Sequence, residues 1–279
     1  MTYGYIGLGN MGAPMASRLT GWPGGLVVFD LRAEAMAPLV EAGAAAAADV
    51  AGVADAEIIS VTVLDDEQVR SVVAELAAHA APGTVIAIHS TISPETAESL
   101  AAEHHSRGIF VVDAPVSGGG AAAANGELAV MVGADRAVYE RVKPAFKQFA
   151  SMVIHAGAPG AGTRMKLARN MLSFTGYAAA CEAMALAAAN GIDLQQLGRV
   201  VRHTDALTGG PGAIMVRDDM SDLAPDHFLY GSFTHARDLG EKDLGLALAL
   251  GERAGVDLPL AQLARQSLAA GLGVPHTKE

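Results

Sequence analysis

The sequence has a single cysteine, Cys181, among its 279 residues. An internal disulfide is thereby excluded, no Cys-x-x-Cys or Cys/His zinc spacing exists, and a reducing, cytoplasmic location is expected. The nine histidines show no metal-ligand spacing, so no metal is expected. Charge is sparse as well. Only 18% of residues are charged, the net charge is −11, and Lys and Arg form no run. Neither nucleic acid nor an anionic membrane surface is expected as a partner, because both need a basic patch. No uninterrupted apolar stretch reaches the roughly 18 residues of a membrane span. The nearest, residues 177–189, is rich in alanine and interrupted by Glu182, and reads as a packed helix of a soluble protein. The N-terminus has no basic segment followed by a long apolar one, so no signal peptide is expected. No fixed-period repeat is present.

Apolar residues, by contrast, make up 51% of the chain, and glycine occurs 32 times. The length exceeds what one core usually organises, which favours two domains. In the first half, short apolar runs at 2–7, 26–30, 57–64, 84–88 and 109–113 alternate with helical patterns at 13–19, 33–42, 66–79 and 94–107. Near-continuous apolar strands alternating with helices predict a parallel sheet covered on both faces. Further strands at 128–133 and 152–155 flank a helix at 137–149. After the glycine-rich break at 157–162 no strand pattern returns. Residues 163–190 read as one long helix closed by Asn190-Gly191, followed by helices at 194–203, 243–254 and 260–271. The expected division is 1–160 and 161–279.

Gly7-Leu8-Gly9-Asn10-Met11-Gly12 fits G-x-G-x-x-G between a predicted strand and helix. In that context the three glycines permit, in turn, a tight turn, close approach of backbone to a pyrophosphate, and helix–strand contact. The helix N-terminus offers free N–H groups to the anion. The motif predicts a Rossmann-type dinucleotide-binding domain. Asp30 ends the second strand, where a carboxylate accepts hydrogen bonds from the adenosine ribose and repels a 2′-phosphate. NAD is therefore the expected cofactor, with NADP left open because Arg32 could turn toward a 2′-phosphate.

Three later segments add a resemblance. They are Asp113-Ala114-Pro115-Val116-Ser117-Gly118-Gly119, the turn at 157–162 leading to Lys166 and Asn170, and Lys242-Asp243-Leu244-Gly245-Leu246-Ala247. With the first motif, in this order, they resemble the β-hydroxyacid dehydrogenase family, which includes 3-hydroxyisobutyrate dehydrogenase and tartronate semialdehyde reductase. The resemblance implies a Rossmann-type α/β N-terminal domain and an all-α C-terminal substrate and dimerisation domain joined by a long helix. It implies hydride transfer between a nicotinamide and a small β-hydroxy acid, with Lys166 as general acid/base and Asn170 beside it. Ser117, Gly118 and Gly119 would bind the substrate carboxylate, and Leu64, Asp65, Thr91 and Lys242 would join the glycine turn and Asp30 around the cofactor. A homodimer or homotetramer is also implied.

The residues themselves fit that chemistry. Lys166 and Asn170, four apart, share one helix face among apolar neighbours, where an ammonium loses part of its basicity. Ser117 to Gly119 offer a hydroxyl and closely spaced N–H groups that suit a carboxylate. Arg164 and Arg169 point elsewhere, toward solvent or a partner subunit. The chain also departs from the family. Ile88 stands where members often carry Asp, Leu64-Asp65-Asp66 replaces a common Leu-Pro, His235 replaces a Phe seven residues before Lys242, and the segment 203–212 is unlike other members. The last of these departures is expected near the substrate's tail, so a semialdehyde or glyoxylate reductase and a serine-type dehydrogenase remain open alternatives. An imine reductase or a non-catalytic cofactor-binding module also shares the fold, but Lys166 argues against both.

Overall fold

The computed structural model describes residues 2–277. The chain divides into two compact units, residues 1–171 and 172–279.

The first unit is built around a nine-stranded sheet. Strand β1 (Tyr3–Ile6) leads through α1 (Gly12–Ser17) to β2 (Leu26–Phe29), and α2 (Ala33–Glu41) leads to β3 (Ala45–Ala46). The chain then crosses to the other side of β1. There β4 (Ile58–Val61), α3 (Asp66–His79), β5 (Val85–Ile88), α4 (Pro94–His105) and β6 (Phe110–Asp113) continue the alternation. Strands β1 to β6 pair in parallel, with Tyr3 opposite both Leu26 and Ile58. The order therefore reverses between β1 and β4, and the carboxyl ends on either side of such a switch frame a crevice. Strands β1, β4 and β5 are buried along their whole length, as expected of a sheet covered on both faces.

The parallel sheet expected of the first five strands forms, and beyond β6 the sheet becomes mixed. Strand β7 (Val116–Ser117), helix α5 (Gly119–Asn125) and strand β8 (Leu128–Gly133) follow, and β8 runs antiparallel to both β6 and β7. The link from β7 to β8 is too short for a parallel crossover, which needs a dozen or more residues. Helix α6 (Arg136–Phe146) then returns the chain to β9 (Ala150–Gly157), parallel to β8. The α5 helix, not expected from the sequence, occupies the alanine tract, and alanine is the strongest helix former.

Two buried clusters fill the faces of this sheet. One gathers Tyr3, Tyr5, Met15, Phe146 and Phe149, the other Ile59, Val69, Leu76, Ile86 and Ile88. A buried polar chain crosses the first. Tyr3 Oη lies 2.8 Å from Ser60 Oγ, which lies 2.7 Å from His89 Nε2, while His89 Nδ1 lies 2.7 Å from the Ala114 carbonyl. A carbonyl only accepts, so Nδ1 carries the proton, Nε2 accepts from Ser60, and Ser60 accepts from Tyr3. Burial pushes the His89 imidazolium down to about 4.

Helix α7 (Ala161–Ala189) passes from the first unit into the second, which also contains α8 (Leu194–Thr208), α9 (Tyr230–Ala254) and α10 (Pro259–Leu272). Helix α9 starts 13 residues before the expected position; three glycines in its first 16 residues mask its periodicity. The helix pattern expected at 163–190 forms, but its packing differs from expectation. Met171, Phe174 and Tyr177 are all more than 60% exposed, and Cys181 on the same helix is exposed too. By length and composition alone α7 could cross a membrane. Its Glu182, however, accepts the Leu260 and Ala261 N–H groups at 2.8 and 3.1 Å and so caps the start of α10. The buried cluster of this unit is small, comprising Phe233, Leu272 and Val274.

Candidate functional site

At the carboxyl end of β1 the chain enters the glycine turn. Gly7 has φ +90°, and a Cβ there would lie 2.1 Å from the Thr62 carbonyl oxygen. A Cβ at Gly12 would lie 1.9 Å from the Gly7 carbonyl oxygen. Both positions exclude any side chain. Gly9 differs: nothing lies within 4 Å of its Cβ position. Its backbone thus borders open space, as a turn that receives a phosphate must. Met11, at the N-cap of α1, makes no side-chain cap; the Ala13 N–H donates to the Gly9 carbonyl at 3.0 Å and Pro14 has no N–H, so it is the glycine turn rather than a row of free helix N–H groups that meets a ligand here.

A cleft of about 890 Å³ opens there, lined by Gly7, Gly9, Asn10, Met11, Gly12, Asp30 and Leu64, among others. It is mainly apolar and of the size of nucleotide and cofactor sites. Leu8 is buried beneath it, and its N–H donates to Asp30 Oδ2 at 2.7 Å. Asp30 Oδ1 accepts from the Arg32 N–H at 2.9 Å and from Arg32 Nε at 3.3 Å. Burial raises the Asp30 carboxyl, but the N–H groups of Arg32 and Leu8 and the Arg32 guanidinium outweigh it and hold it below the usual carboxylate range. Ser90 ties the far side together. Its hydroxyl donates to the Val63 carbonyl at 2.6 Å and accepts the Val63 N–H at 3.0 Å. The glycines, the cleft and the Asp30 carboxylate together fit a dinucleotide.

Besides the buried Leu8, three sequence-predicted positions fall outside the lining of this cleft. Asp65 caps α3 by accepting the Gln68 N–H at 2.9 Å, Thr91 is exposed after β5, and Lys242 lies in the second unit with its ammonium 3.1 Å from Asp243. Gln68, which sequence reasoning missed, lines the cleft and accepts the Leu64 N–H at 3.1 Å.

The Ser117–Gly119 turn stands next to the glycine turn. Gly118 (φ +137°) and Gly119 (φ +78°) start α5, and a Cβ on Gly120 would lie 3.3 Å from the Asn10 carbonyl oxygen. Ser117 is half-buried, whereas Gly118 and Gly119 are exposed.

Lys166 belongs to the same unit. Helix α7 begins against the carboxyl end of β6: Asp113 Oδ1 accepts the Gly160 N–H and Oδ2 the Thr163 N–H, both at 2.7 Å. Since β1, β4 and β6 run parallel, the glycine turn, Leu64 and the start of α7 all lie along one edge of the sheet. Lys166 is 9% exposed, whereas its neighbours Met165 and Leu167 are 39% and 43% exposed. Burial first, and the positive charge of Arg169 second, hold its ammonium below the ordinary lysine range. Asn170, one turn on, is half-buried, and its Oδ1 lies 3.4 Å from Arg169 Nη1. Arg164 pairs with Glu98 on α4. His235, the position of the missing Phe, is exposed on α9.

Known proteins share this pattern. Residues 2–157 match a family described as the NAD binding domain of 6-phosphogluconate dehydrogenase. Residues 160–276 match one described as NAD-binding of NADP-dependent 3-hydroxyisobutyrate dehydrogenase. An uncharacterised oxidoreductase of Mycobacterium tuberculosis is 64% identical over 98% of this chain and 94% of its own length. The NAD-dependent L-serine dehydrogenase of Pseudomonas aeruginosa is 37% identical over 93% of this chain and 88% of its own. A crystal structure described as an oxidoreductase from Mycobacterium avium 104 superimposes with a TM-score of 0.96 at 74% identity, covering 98% of this chain and 99% of that one. An imine reductase of Streptomyces aurantiacus (TM-score 0.78, 19% identity, covering 99% and 96%) shares the fold alone.

Proposed function

The chain belongs to the β-hydroxyacid dehydrogenase family, and on that premise we propose that Lys166 is its general acid/base and that the turn at Ser117–Gly119 holds the substrate carboxylate. It is an NAD(P)-dependent hydroxyacid dehydrogenase acting on a small hydroxy acid. The observation that carries the reading is a buried lysine of lowered basicity on the sheet edge that also bears the dinucleotide turn.

The dinucleotide, when bound, accepts or returns the hydride. The rest falls to this chain. Gly7, Gly9 and Gly12 with the start of α1 would hold the pyrophosphate, Asp30 the adenosine ribose, and Leu64, Asp65, Thr91 and Lys242 would complete the cofactor contacts. The carboxylate of the hydroxy acid docks on Ser117 and the N–H groups of Gly118 and Gly119. Lys166, neutral in the oxidative direction, takes the hydroxyl proton onto Nζ; as ammonium it returns that proton to the oxygen in reduction. Asn170 orients the same oxygen.

The substrate is a three- or four-carbon hydroxy acid of the 3-hydroxyisobutyrate kind. Serine is the second reading, favoured by the L-serine dehydrogenase relative. Following NADH absorbance with 3-hydroxyisobutyrate, glycerate, 4-hydroxybutyrate, L-serine and their aldehydes decides between them. Binding of NAD with no turnover on any of these would overturn the substrate assignment.

Cofactor choice rests on Asp30. Asp30→Ala is expected to lower the preference for NAD over NADP by about tenfold, as loss of a charge-assisted ribose contact should. It should also weaken both cofactors, because the Leu8 N–H loses its acceptor. Fluorescence titration with NADH and NADPH reads both effects, and an unchanged ratio would free Asp30 of the selectivity role.

The protein is cytoplasmic and forms a homodimer or homotetramer in this reading. The apolar side chains that α7 leaves exposed, with the small core of residues 172–279, support association of identical chains. Sedimentation analysis would show a monomer at micromolar concentration if that is mistaken.

A further inference from the structure

The start of α7 is capped in an unusual way. Helices generally draw their first hydrogen bonds from a side chain at the N-cap position itself. Here that position is Gly160, at φ +87°, which has no side chain. The cap comes from Asp113, 47 residues earlier in sequence, whose two carboxylate oxygens are each committed to one N–H of the helix start. Asp113 is 2% exposed and sits at the end of β6 between two strands, opposite Ile88 of β5 and Gly133 of β8.

The fit around it leaves no slack. A Cβ at Gly133 would lie 2.2 Å from Asp113 Oδ1. A Cβ at Gly162 would lie 2.3 Å from the Met131 carbonyl oxygen and 2.8 Å from that of Asp113. Sheet, carboxylate and helix therefore interlock at two points where not even a methyl group fits. A cap supplied by the helix itself would satisfy N–H groups wherever the helix lay. A cap supplied by the sheet also fixes how far α7 is advanced and how it is rotated. Lys166 lies three residues past Thr163, and a slip of one residue would move it by about 1.5 Å and turn it by roughly 100°.

We propose that Asp113 is the positioning residue for Lys166: it sets the place of the ammonium relative to the sheet edge and so its access to the substrate oxygen. The proposal rests on the reading of Lys166 as the proton-transfer group. Asp113 itself touches neither substrate nor cofactor and moves no proton.

Asp113→Asn keeps the shape but replaces one acceptor by an amide NH2 that faces an N–H group. Circular dichroism and thermal unfolding establish that the variant is folded. NADH affinity is then expected within about twofold of the parent, since the dinucleotide cleft is lined by other segments. KM for the hydroxy acid should change little, while kcat falls on the order of 100-fold, the scale of a misplacement near 1 Å. In a Lys166→Ala background the same substitution should cost nothing further, because groups that act as a unit are not additive.

A folded Asp113→Asn enzyme with kcat within twofold of the parent overturns the proposal. So does an equal loss in the Lys166→Ala background, which would mark a general structural effect. If Asp113→Asn does not fold, Gly133→Ala, whose methyl group would lie 2.2 Å from Oδ1 and so must displace the carboxylate while its charge is kept, carries the same test with the same expected split. Near-parental turnover by Lys166→Ala alone would instead remove the underlying reading, and the proposal with it.

Discussion

Lys166→Ala is expected to lower turnover by roughly 10²- to 10⁴-fold, the range lost with a general acid/base, while NADH binding stays near parental. The separation follows from placement. The lysine sits on α7, whereas the cleft that fits the dinucleotide is lined by the segments after β1, β2 and β4 and by α3. Stopped-flow measurement of hydride transfer, with NADH titration as control, checks both halves, and residual turnover near the parental rate would remove Lys166 from the chemistry. The pH profile supplies a second check. Lys166 is held below the ordinary lysine range, chiefly by burial. Oxidation needs the neutral amine, so its rate should rise with pH to a plateau below the usual lysine pKa near 10.4. Reduction needs the ammonium and should fall across the same interval.

The second large effect is on stability in mild acid. His89 titrates at about 4 in the folded chain and near 6.5 when unfolded. Above pH 6.5 both states hold it neutral and the full stability is present. As pH falls from 6.5 to 4, the unfolded chain binds a proton that the folded chain refuses. Stability then drops by about 1.4 kcal/mol per pH unit, or about 3 kcal/mol in all, and below pH 4 this loss stops growing. Asp30 and Asp66, the carboxylates of the first unit held below the usual range, act only at lower pH than this window. The cause is geometric. The ring stacks against Tyr5 and meets Phe146 and Phe149 edge-on, and its one acceptor nitrogen is filled by Ser60. Urea unfolding of the first unit at pH 7.5, 5.5 and 4.5 measures the slope. His89→Phe should be less stable at pH 7.5, because Ser60 and the Ala114 carbonyl lose their partner, but should lose the slope. A slope that survives in this variant would assign it to another group.

What could be read from the sequence was what lies close together along the chain. The glycine turn needs six consecutive residues, and Lys166 and Asn170 need one helical turn. Both were legible because spacing alone determines who faces whom. The direction of β8 was not legible, since buried strands are apolar whichever way they run. Helix α5 was hidden because an alanine tract carries no apolar periodicity. The exposure of Cys181, Phe174 and Tyr177 was hidden for a related reason: an apolar helix reads alike whether it packs within its own chain or presents a surface to another. At the site, Asp113 was visible only as part of a motif. Its hydrogen bonds span 47 and 50 residues, and the contact from Ser60 to His89 spans 29, distances at which periodicity is silent.

The small core of residues 172–279 also bears on how the protein behaves when it is diluted. Phe233, Leu272 and Val274 with a few flanking side chains bury too little apolar surface to offset the roughly 1.5 kcal/mol of conformational entropy lost per ordered residue. Under the proposed association of identical chains, the helical half draws its order from that association, and mass action enters its folding equilibrium. Its midpoint of unfolding then rises with protein concentration, whereas the β-sheet half, with two large buried clusters of its own, unfolds at a midpoint independent of concentration.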